Sequence, residues 1–293
     1  MNKDIQITIF TPTYNRAYII SNLYNSLCKQ TNSNFVWLIV DDGSTDNTKE
    51  LISKWQDENK ININYIYQEN GGKMRAYNKA VANATTELFC CIDSDDYIVE
   101  NAIEIILENW NKITNKDNLS GIVAYRGDKN LKPISTIFPE DVERTTIVNL
   151  TRNGFKGDTT LVNRTEVLRK YPFPEIEGEK FITEGYVFHQ MDMSYYLYIV
   201  REVLTICEYL QDGYTRNEKK LAYTSPKGFA LYYDQEAELS INLKEYFVNK
   251  SYAYCFKMYT HQKIDIKFDK KIVTNFLCLI YGTILFVDMK INK

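Results

Sequence analysis

The sequence predicts an α/β protein with a mostly parallel sheet flanked by helices and a helical C-terminal extension. Through the first 115 residues, short apolar runs alternate with segments of helical spacing, which is the order of parallel strands joined by crossover helices. Two of the four apolar runs end in acidic clusters, and open α/β sheets bind ligands at the carboxyl ends of their strands. The length of 293 residues is sufficient for one large domain with a smaller appendage.

The first half of the chain alternates regularly between strands and helices. β-Branched or continuous apolar runs predict the strands, and apolar residues three or four positions apart predict the helices. Asp46 is predicted to be the N-cap of the second helix. The predicted strands are 5–10, 35–40, 63–67 and 88–92, and the predicted helices lie around 20–27, 47–55, 73–84 and 99–111.

The alternation is looser beyond residue 115. Strands are predicted at 121–125, 159–162 and 203–209, with a helical stretch at 179–200. From about residue 225 the sequence is helical and rich in tyrosine. These patterns predict a sheet domain over 1–220, with halves of about 1–115 and 116–220, and a helical extension over 221–293.

Composition and charge exclude some classes and favour a location. The net charge of −3 and the pI of about 5.6 argue against a nucleic-acid partner. The six cysteines include no C-x-x-C pair, and the N-terminal residues have no apolar stretch of signal-peptide length. We therefore expect a cytoplasmic protein with reduced cysteines.

The DSDD sequence at 93–96 is the strongest chemical signal. Asp93 and Asp95 follow a predicted buried strand at positions i and i+2, where two carboxylates repel each other and lose hydration. A hard divalent cation, Mn²⁺ or Mg²⁺, relieves both costs and often completes its coordination with substrate phosphates. The alternative, a turn or a helix cap, is the weaker interpretation for three Asp in four positions.

The DDGSTD sequence at 41–46 allows two interpretations. Asp41 and Asp42 come directly after a predicted strand, so their carboxylates could accept hydrogen bonds from a nucleobase or a ribose. The same residues with Gly43 are also typical of a turn. Local chemistry leaves the two interpretations evenly balanced.

Two further loops carry groups suited to a nucleotide. In TPTYNR, Pro12 shapes a turn, Tyr14 offers a flat ring for a base, and Arg16 suits a phosphate or an acidic neighbour. In NGGK, a Gly-Gly turn precedes a helix whose N-terminus, with Lys73 and Arg75, suits a diphosphate.

The four segments TPTYNR, VDDGSTDNT, ENGGKMRAYNKAV and CIDSDDY, in this order and spacing, resemble the inverting family 2 glycosyltransferases of the GT-A fold. The resemblance covers roughly residues 4–210 and implies a nucleoside diphosphate sugar donor, usually a UDP sugar, bound by the first half of the sheet domain. It implies that Asp93 and Asp95 form the metal-binding DxD pair, with Asp95 nearest the metal. Local chemistry and the resemblance together predict the donor-binding residues Thr11, Pro12, Tyr14, Arg16, Asp41, Asp42, Lys73, Arg75, Asp93 and Ser94.

The resemblance is weaker in the acceptor half. The segment 177–191 resembles the helix that carries the catalytic base, but Thr-Glu-Gly stands where many relatives have Glu-Asp. Glu184 is therefore the predicted base, and the favoured alternative role for it is a first-turn acid near the helix dipole. The other candidates for the base are Asp158, Glu179 and Asp192, and Asp158 and His189 are predicted on the acceptor side.

The predicted activity is transfer of one sugar, with inversion, to the hydroxyl of a glycan or a lipid-linked oligosaccharide in bacterial surface glycan synthesis. The alternatives are a catalytically silent nucleotide-sugar binder or scaffold of a glycan-assembly complex, and a metal-dependent hydrolase or phosphotransferase. A dinucleotide-dependent dehydrogenase is disfavoured because the first strand lacks the glycine fingerprint.

The C-terminal segment carries a local positive charge and an apolar run. Residues 244–293 contain nine Lys and four acids, an excess of five positive charges. The uncharged run 272–287 has 16 residues, fewer than the roughly 20 that span a bilayer, so a buried helix is the favoured prediction. The alternatives are a peripheral segment at the inner face of the cytoplasmic membrane and an interface of a homodimer.

Overall fold

The computed structural model describes residues 6–207, 218–264 and 271–291, and the chain forms two compact units. The sheet unit extends to Phe173 and resumes from Val187, and the helical unit combines Pro174–Tyr186 with the helices that follow residue 217. The helical unit thus includes a short segment from within the predicted sheet domain. The single boundary near residue 220 stays a prediction.

The sheet unit is built from nine strands and seven helices in its described residues, the last helix beginning two residues before the unit resumes. The strands are β1 (Ile7–Thr13), β2 (Phe35–Asp41), β3 (Ile63–Tyr67), β4 (Leu88–Cys91), β5 (Tyr97–Ile98), β6 (Leu119–Gly127), β7 (Arg144–Thr145), β8 (Thr159–Arg164) and β9 (Tyr196–Ile206). The helices are α1 (Ser21–Cys28), α2 (Thr48–Glu58), α3 (Lys73–Asn83), α4 (Ala102–Lys112), α5 (Ile147–Arg152), α6 (Thr165–Leu168) and α7 (Gly185–Asp192).

The strands form one sheet in the order β3-β2-β1-β4-β8-β6-β9-β5, with β7 paired to β9. The first four strands are mutually parallel, as the alternation predicts, and β6 and β9 are also parallel. β8 is antiparallel to both β4 and β6, and β5 and β7 are antiparallel to β9. The α/β class is therefore confirmed, and each antiparallel pair includes a strand from the second half.

The core of the sheet unit lies between the sheet and its helices. Trp37 of β2 stacks with Tyr24 of α1 and Trp55 of α2, and the closest of these rings, Tyr24 and Trp55, lie 4.2 Å apart. On another part of the core, Phe10, Tyr77 and Phe89 form mutual ring contacts. Both faces of β1 and β2 are covered, and β2 is accordingly apolar from Phe35 to Val40, whereas β1 also buries three threonines.

One predicted element is wrong in the second half of the sheet unit. The sequence predicts a helical stretch over 179–200, whereas the helix covers only Gly185–Asp192 and Tyr196 begins the long strand β9. The run YLYIV is rich in aromatic and β-branched residues, and parallel pairing with β6 decides its conformation. Of the predicted strands at the ends, residue 5 and residues 208–209 lie outside the described residues.

The helical unit contains α8 (Glu218–Thr224), α9 (Pro226–Leu239), α10 (Leu243–Tyr259) and α11 (Ile272–Ile291), as the tyrosine-rich pattern predicts. Phe229 and Tyr233 of α9 stack on Phe256 of α10. Asp234 of α9 also pairs with Lys250 and Lys257 of α10. An aromatic cluster and an ion-pair network thus hold α9 and α10 together.

The prediction of a buried helix at 272–287 is wrong. α11 has 20 residues. Among the described helices, it is the one whose length and composition would allow it to cross a membrane. Only 17% of its most apolar stretch is buried. The buried residues Asn275, Cys278 and Gly282 lie on one face, and apolar side chains on the opposite face, among them Ile280 and Ile284, are exposed.

Candidate active site

The site is formed by the loops at the carboxyl ends of β1, β2 and β4, which are neighbours in the sheet. β1 is followed by Tyr14, Asn15 and Arg16, β2 by the DDGSTD loop, and β4 by DSDD. The NGGK loop, between β3 and α3, lies beside them and connects the two acidic clusters. All four segments that carry the family resemblance therefore meet at one edge of the sheet.

Asp42 fixes the glycine loop by accepting hydrogen bonds at both carboxylate oxygens. Oδ1 accepts from the backbone N–H of Gly71 at 2.8 Å and from the Gln68 amide at 2.7 Å. Oδ2 accepts from the backbone N–H of Gly72 at 2.8 Å and from the Asn70 amide at 3.2 Å. The side chain is 5% exposed, so Asp42 acts in this structure as the acceptor that shapes the loop.

Two glycines allow this close approach of the loops. Gly72 has a φ of 95°, a conformation that residues with a Cβ rarely adopt, and it immediately precedes helix α3. Gly43 has a φ of 85°, and a Cβ there would lie 2.9 Å from the backbone nitrogen of Asn70. The β2 loop and the NGGK loop therefore contact each other through backbone atoms.

Lys73, the first residue of α3, connects the glycine loop to the DSDD cluster. Its Nζ lies 2.7 Å from Oδ1 of Asp93. Burial opposes ionisation of Asp93, but the positive charges of Lys73, Arg126 and Arg16 prevail and hold its pKa below the ordinary value. The glycine loop thus contacts Asp42 on one side, and through Lys73 it contacts Asp93 on the other.

The other carboxylates of DSDD are destabilised in the charged form. Burial and the neighbouring charge of Asp93 raise the pKa of Asp95. Burial also raises the pKa of Asp96 to about 7, although Arg126 lies 3.3 Å away and opposes the shift. Ser94, between Asp93 and Asp95, is buried. Asp95, which is half-buried, therefore carries its negative charge at a cost in free energy.

The donor set at Asp93 and Asp95 fits a hard divalent cation. A cation beside Asp95 would relieve the burial and repulsion that raise its pKa, and two carboxylates leave coordination positions for phosphate oxygens. In the part of the chain that the structure describes, no group of three or more His, Cys, Asp or Glu side chains is placed to hold a metal. A cation here would therefore depend on the substrate for part of its coordination.

The residues in and directly after β1 that are predicted to bind the sugar donor differ in their exposure to solvent. The Tyr14 ring is 49% exposed, as a stacking surface must be, whereas Pro12 is buried in the strand. The Thr11 hydroxyl is fully buried and accepts a hydrogen bond from the indole of Trp37 at 2.9 Å. A nucleotide contact from the Thr11 side chain stays a prediction. It would require the Thr11 hydroxyl to give up its hydrogen bond from Trp37.

Asp41 and Arg75 also have protein partners. Asp41 is fully buried and accepts from the backbone N–H of Ser44 and from the Tyr65 hydroxyl, each at 2.8 Å. The guanidinium of Arg75 donates to the carbonyl of Gly71 at 2.8 Å. Both side chains therefore contribute to the conformation of the loops at this edge.

Asn15 also belongs to the site, although no pattern in the sequence indicates it. It adopts a left-handed φ of 53°, and its side-chain oxygen accepts from the backbone N–H of Thr45 at 2.8 Å. Asp46 completes this connection by accepting from the N–H of Ala17 and from the N–H of Thr48, the first residue of α2. Asp46 thus caps the helix from one position earlier than an N-cap, and it also ties the β1 loop to the β2 loop.

The candidates for the base lie in different surroundings. Glu184 is half-buried and precedes the first residue of α7. Glu179 is buried, and its carboxylate accepts from the backbone N–H groups of Lys227 and Gly228 at 2.8 and 2.9 Å, so it caps α9. Asp158 is exposed, and His189 is half-buried in α7.

Asp192, the last residue of α7, has a structural contact. It accepts from the backbone N–H of Val148 at 2.9 Å, and burial raises its pKa to about 6. The contacts of Glu179 and Asp192 account for these two acids as parts of the fold. Glu184 therefore stays the preferred prediction for the base.

The chain matches the model of the family Glycosyl transferase family 2 over residues 8–175. It is 30% identical over 174 residues to an uncharacterized glycosyltransferase of Nostoc sp., covering 57% of this chain and 53% of that protein. It is 27% identical over 195 residues to the poly(ribitol-phosphate) β-N-acetylglucosaminyltransferase TarS of Staphylococcus aureus, covering 62% of this chain and 33% of TarS. The matches thus span between a third and about half of the length of these relatives.

Solved structures show the same fold. TarS residues 1–349 in complex with UDP-GlcNAc superpose with a TM-score of 0.60 at 18% identity, covering 97% of this chain and 81% of that one. A mannosyltransferase of Pyrobaculum calidifontis in complex with GDP-Man and Mn²⁺ superposes with a TM-score of 0.55 at 16% identity, covering 96% and 87%. The central sheet with its flanking helices is the GT-A fold. The chain belongs to glycosyl transferase family 2 and is a glycosyltransferase.

Proposed function

We propose that this glycosyltransferase moves one sugar from a UDP donor to a hydroxyl of a surface glycan precursor, with inversion at the anomeric carbon. The observation that supports this most is the continuous connection from Asp42 through the glycine loop to Lys73 and Asp93. That connection places a cation, a helix N-terminus and a carboxylate pair together, which suits a diphosphate. The complex of the similar protein TarS with UDP-GlcNAc favours uridine over other bases.

The donor would bind with its base on Tyr14 and its diphosphate near the start of α3. The exposed ring of Tyr14 supplies the stacking surface. Lys73 would exchange part of its contact with Asp93 for donor phosphate, with Arg16 adding positive charge at the same edge. Asp42 would contribute by holding the glycine loop in the conformation that presents these groups.

Asp93 and Asp95 would hold a Mn²⁺ or Mg²⁺ ion together with the donor phosphates. When bound, the ion neutralises negative charge on the leaving diphosphate. Lys73 supports the same step from the protein side, because its ammonium already lies within hydrogen-bond distance of this cluster.

Glu184 would act as the general base. Its carboxylate would take the proton of the acceptor hydroxyl while the hydroxyl oxygen forms a bond to the anomeric carbon. The bond from that carbon to the diphosphate oxygen breaks in the same step, and UDP leaves with the electron pair. Attack from the face opposite the diphosphate inverts the anomeric centre, and no covalent enzyme intermediate is required.

The acceptor would be a glycan or a lipid-linked oligosaccharide, and the reaction would take place in the cytoplasm at the inner face of the cytoplasmic membrane. The apolar outward face of α11 supports a location near lipid. The donor and acceptor sugars depend on loops whose specificity the fold does not determine.

A donor screen tests the proposal. Purified protein is mixed with a panel of UDP and GDP sugars, with and without Mn²⁺, and thermal stability and release of the nucleoside diphosphate are followed. We expect stabilisation and slow release with a UDP sugar, both dependent on the metal and both lost in Asp95→Ala. Stabilisation without any release would indicate a nucleotide-sugar binder, and an unchanged response in Asp95→Ala would exclude the metal site.

A further inference from the structure

The outward face of α11 is a continuous apolar stripe. The exposed apolar residues recur at spacings of three and four positions, which places them on one side of the helix. They are Val273, Phe276, Leu277, Ile280, Ile284, Val287 and Ile291. Ile280 and Ile284, at the centre of the stripe, are 59% and 57% exposed. Scattered exposed apolar residues are ordinary, whereas a continuous stripe along a 20-residue helix marks a contact surface.

The opposite face of α11 is packed against α10. A Cβ at Gly282 would lie 2.7 Å from the carbonyl oxygen of Ser251, so the two helices approach closely there. The Tyr246 hydroxyl donates to the side-chain oxygen of Asn275 at 2.6 Å. One side of α11 is thus covered by the protein, and the apolar stripe on its other side is not.

The packing on α10 excludes a spanning orientation for this pair of helices. α10 carries Lys250 and Lys257, which form ion pairs with Asp234 of α9. Taking these charges into the hydrocarbon core would be very costly, so α10 cannot follow α11 across a bilayer. While α11 keeps its contacts with α10, it can meet lipid only along its outward side.

The ends of α11 carry the charge that an anionic lipid surface favours. Lys271 lies immediately before the helix, with its ammonium 4.0 Å from the Tyr246 ring centroid, and Lys290 is in its last turn, 4.7 Å from the Tyr259 ring centroid. Residues 244–293 have an excess of five positive charges, although the whole chain has a net charge of −3. An apolar stripe between lysine–tyrosine pairs matches the boundary between lipid acyl chains and anionic headgroups.

We propose that the outward stripe of α11 binds an anionic membrane surface, with the helix lying in the plane of the interface rather than crossing the bilayer. The charges favour lipid over a second copy of this chain, because an anionic surface attracts the lysines at both ends, whereas α11 of a second copy offers one acid, Asp288, beside the same lysines. This surface would hold the enzyme beside a lipid-linked acceptor. The membrane contact itself does not require that the proposed sugar transfer be correct.

Vesicle co-sedimentation of the full chain tests this inference. Vesicles of phosphatidylcholine alone are compared with vesicles of equal parts phosphatidylcholine and phosphatidylglycerol. The test variant is Ile280→Glu with Ile284→Glu, on the stripe. The control is Ile241→Glu with Leu243→Glu, which changes residues that are 69% and 63% exposed near the start of α10. Thermal unfolding checks that both variants are folded.

We expect the protein and the control variant to bind the anionic vesicles, with weaker binding at high salt. Binding of the stripe variant should fall about 100-fold, since each isoleucine placed in the interface contributes roughly tenfold. Membrane-bound protein should be released by alkaline carbonate, as an in-plane helix requires. Three results would overturn the proposal: no vesicle binding, equal binding by the stripe variant, or a dimer in solution that only the stripe variant disrupts. Retention after carbonate would overturn the in-plane orientation.

Discussion

The change Asp42→Asn tests whether this carboxylate shapes the glycine loop. In the structure each carboxylate oxygen accepts one backbone N–H, Oδ1 from Gly71 and Oδ2 from Gly72. An asparagine has one accepting oxygen, and its NH₂ group is a donor. Whichever way the amide turns, one of the two glycine N–H groups therefore loses its acceptor and faces another donor.

The expected loss of stability follows from the burial of this site. Asp42 is 5% exposed, so solvent cannot replace the lost acceptor without opening the loop. A hydrogen bond to a charged group contributes about 1.5–3 kcal/mol, and a buried N–H left without an acceptor costs about 1–3 kcal/mol. These contributions overlap, so we expect Asp42→Asn to lower the free energy of unfolding by about 3 kcal/mol.

Urea unfolding and UDP titration measure the two consequences of this change. The midpoint of unfolding should fall, and affinity for UDP should weaken because the loop that carries Lys73 loses its fixed conformation. Asp57→Asn is the matched control, since Asp57 is exposed on α2 and should leave both measurements unchanged. If Asp42→Asn unfolds at the urea concentration of the unmodified protein, Asp42 does not hold the loop as inferred.

Three further substitutions give distinct outcomes. Thr11→Val leaves the buried Trp37 N–H without an acceptor and should cost about 1–3 kcal/mol in urea unfolding. Glu179→Gln keeps one of the two bonds that cap α9 and should cost about 1–2 kcal/mol in the same assay. Burial raises the folded-state pKa of Asp192 to about 6, so the folded protein binds more protons than the unfolded chain, and stability falls as pH rises from about 4 to about 6. Asp192→Asn should remove that slope and should be more stable above pH 6 by about 1–3 kcal/mol in unfolding experiments across pH.

Each of these predictions has a result that contradicts it. A Thr11→Val variant of normal stability with weak UDP binding would assign Thr11 to the donor site rather than to the core. A Glu179→Gln variant of normal stability that loses turnover would reassign Glu179 as a candidate base. An Asp192→Asn variant with the pH dependence of the unmodified protein would mean that the pKa of Asp192 is not raised.

Much of the first half could be predicted because most of its parallel strands, β1, β2 and β4, are buried along their length. The predicted strand 63–67 matches β3, and the run 35–40 gives β2 with one further residue. Continuous apolar runs between polar turns leave few alternatives, and the carboxyl ends of parallel strands then bring the acidic clusters to one edge. The positions of Asp42 and Asp93 at one site therefore follow from the topology.

The contacts inside the site could not be predicted from local sequence. For Asp42 the turn and the ligand-binding interpretations were balanced, because its partners Gly71 and Gly72 lie about 30 residues away. Asn15 could not be identified for a similar reason. Its role depends on a left-handed backbone conformation and on a hydrogen bond that its side-chain oxygen accepts from Thr45 in another loop. Such contacts depend on how close two loops come, which spacing along the chain does not encode.

The sequence predictions for 179–200 and for α11 are wrong because tertiary contacts decide these segments. Tyr196–Ile206 is a strand because β6 offers it a partner, whereas the periodicity of a short apolar run fits either a helix or a strand. The apolar run of 16 residues is too short to span a membrane, but α11 continues through the four residues 288–291 and has 20 residues. The run was also assigned to the core, whereas α10 covers one of its faces.

A crystal structure with UDP and Mn²⁺ tests the proposed donor site most directly, since anomalous scattering locates the metal. We predict a Mn²⁺ peak bound by Asp95 and the diphosphate, with the uracil ring on Tyr14 and Lys73 at a phosphate oxygen. Density for UDP away from the edge formed by β1, β2 and β4 would contradict the proposal. A Mn²⁺ ion bound by neither Asp93 nor Asp95 would also contradict it.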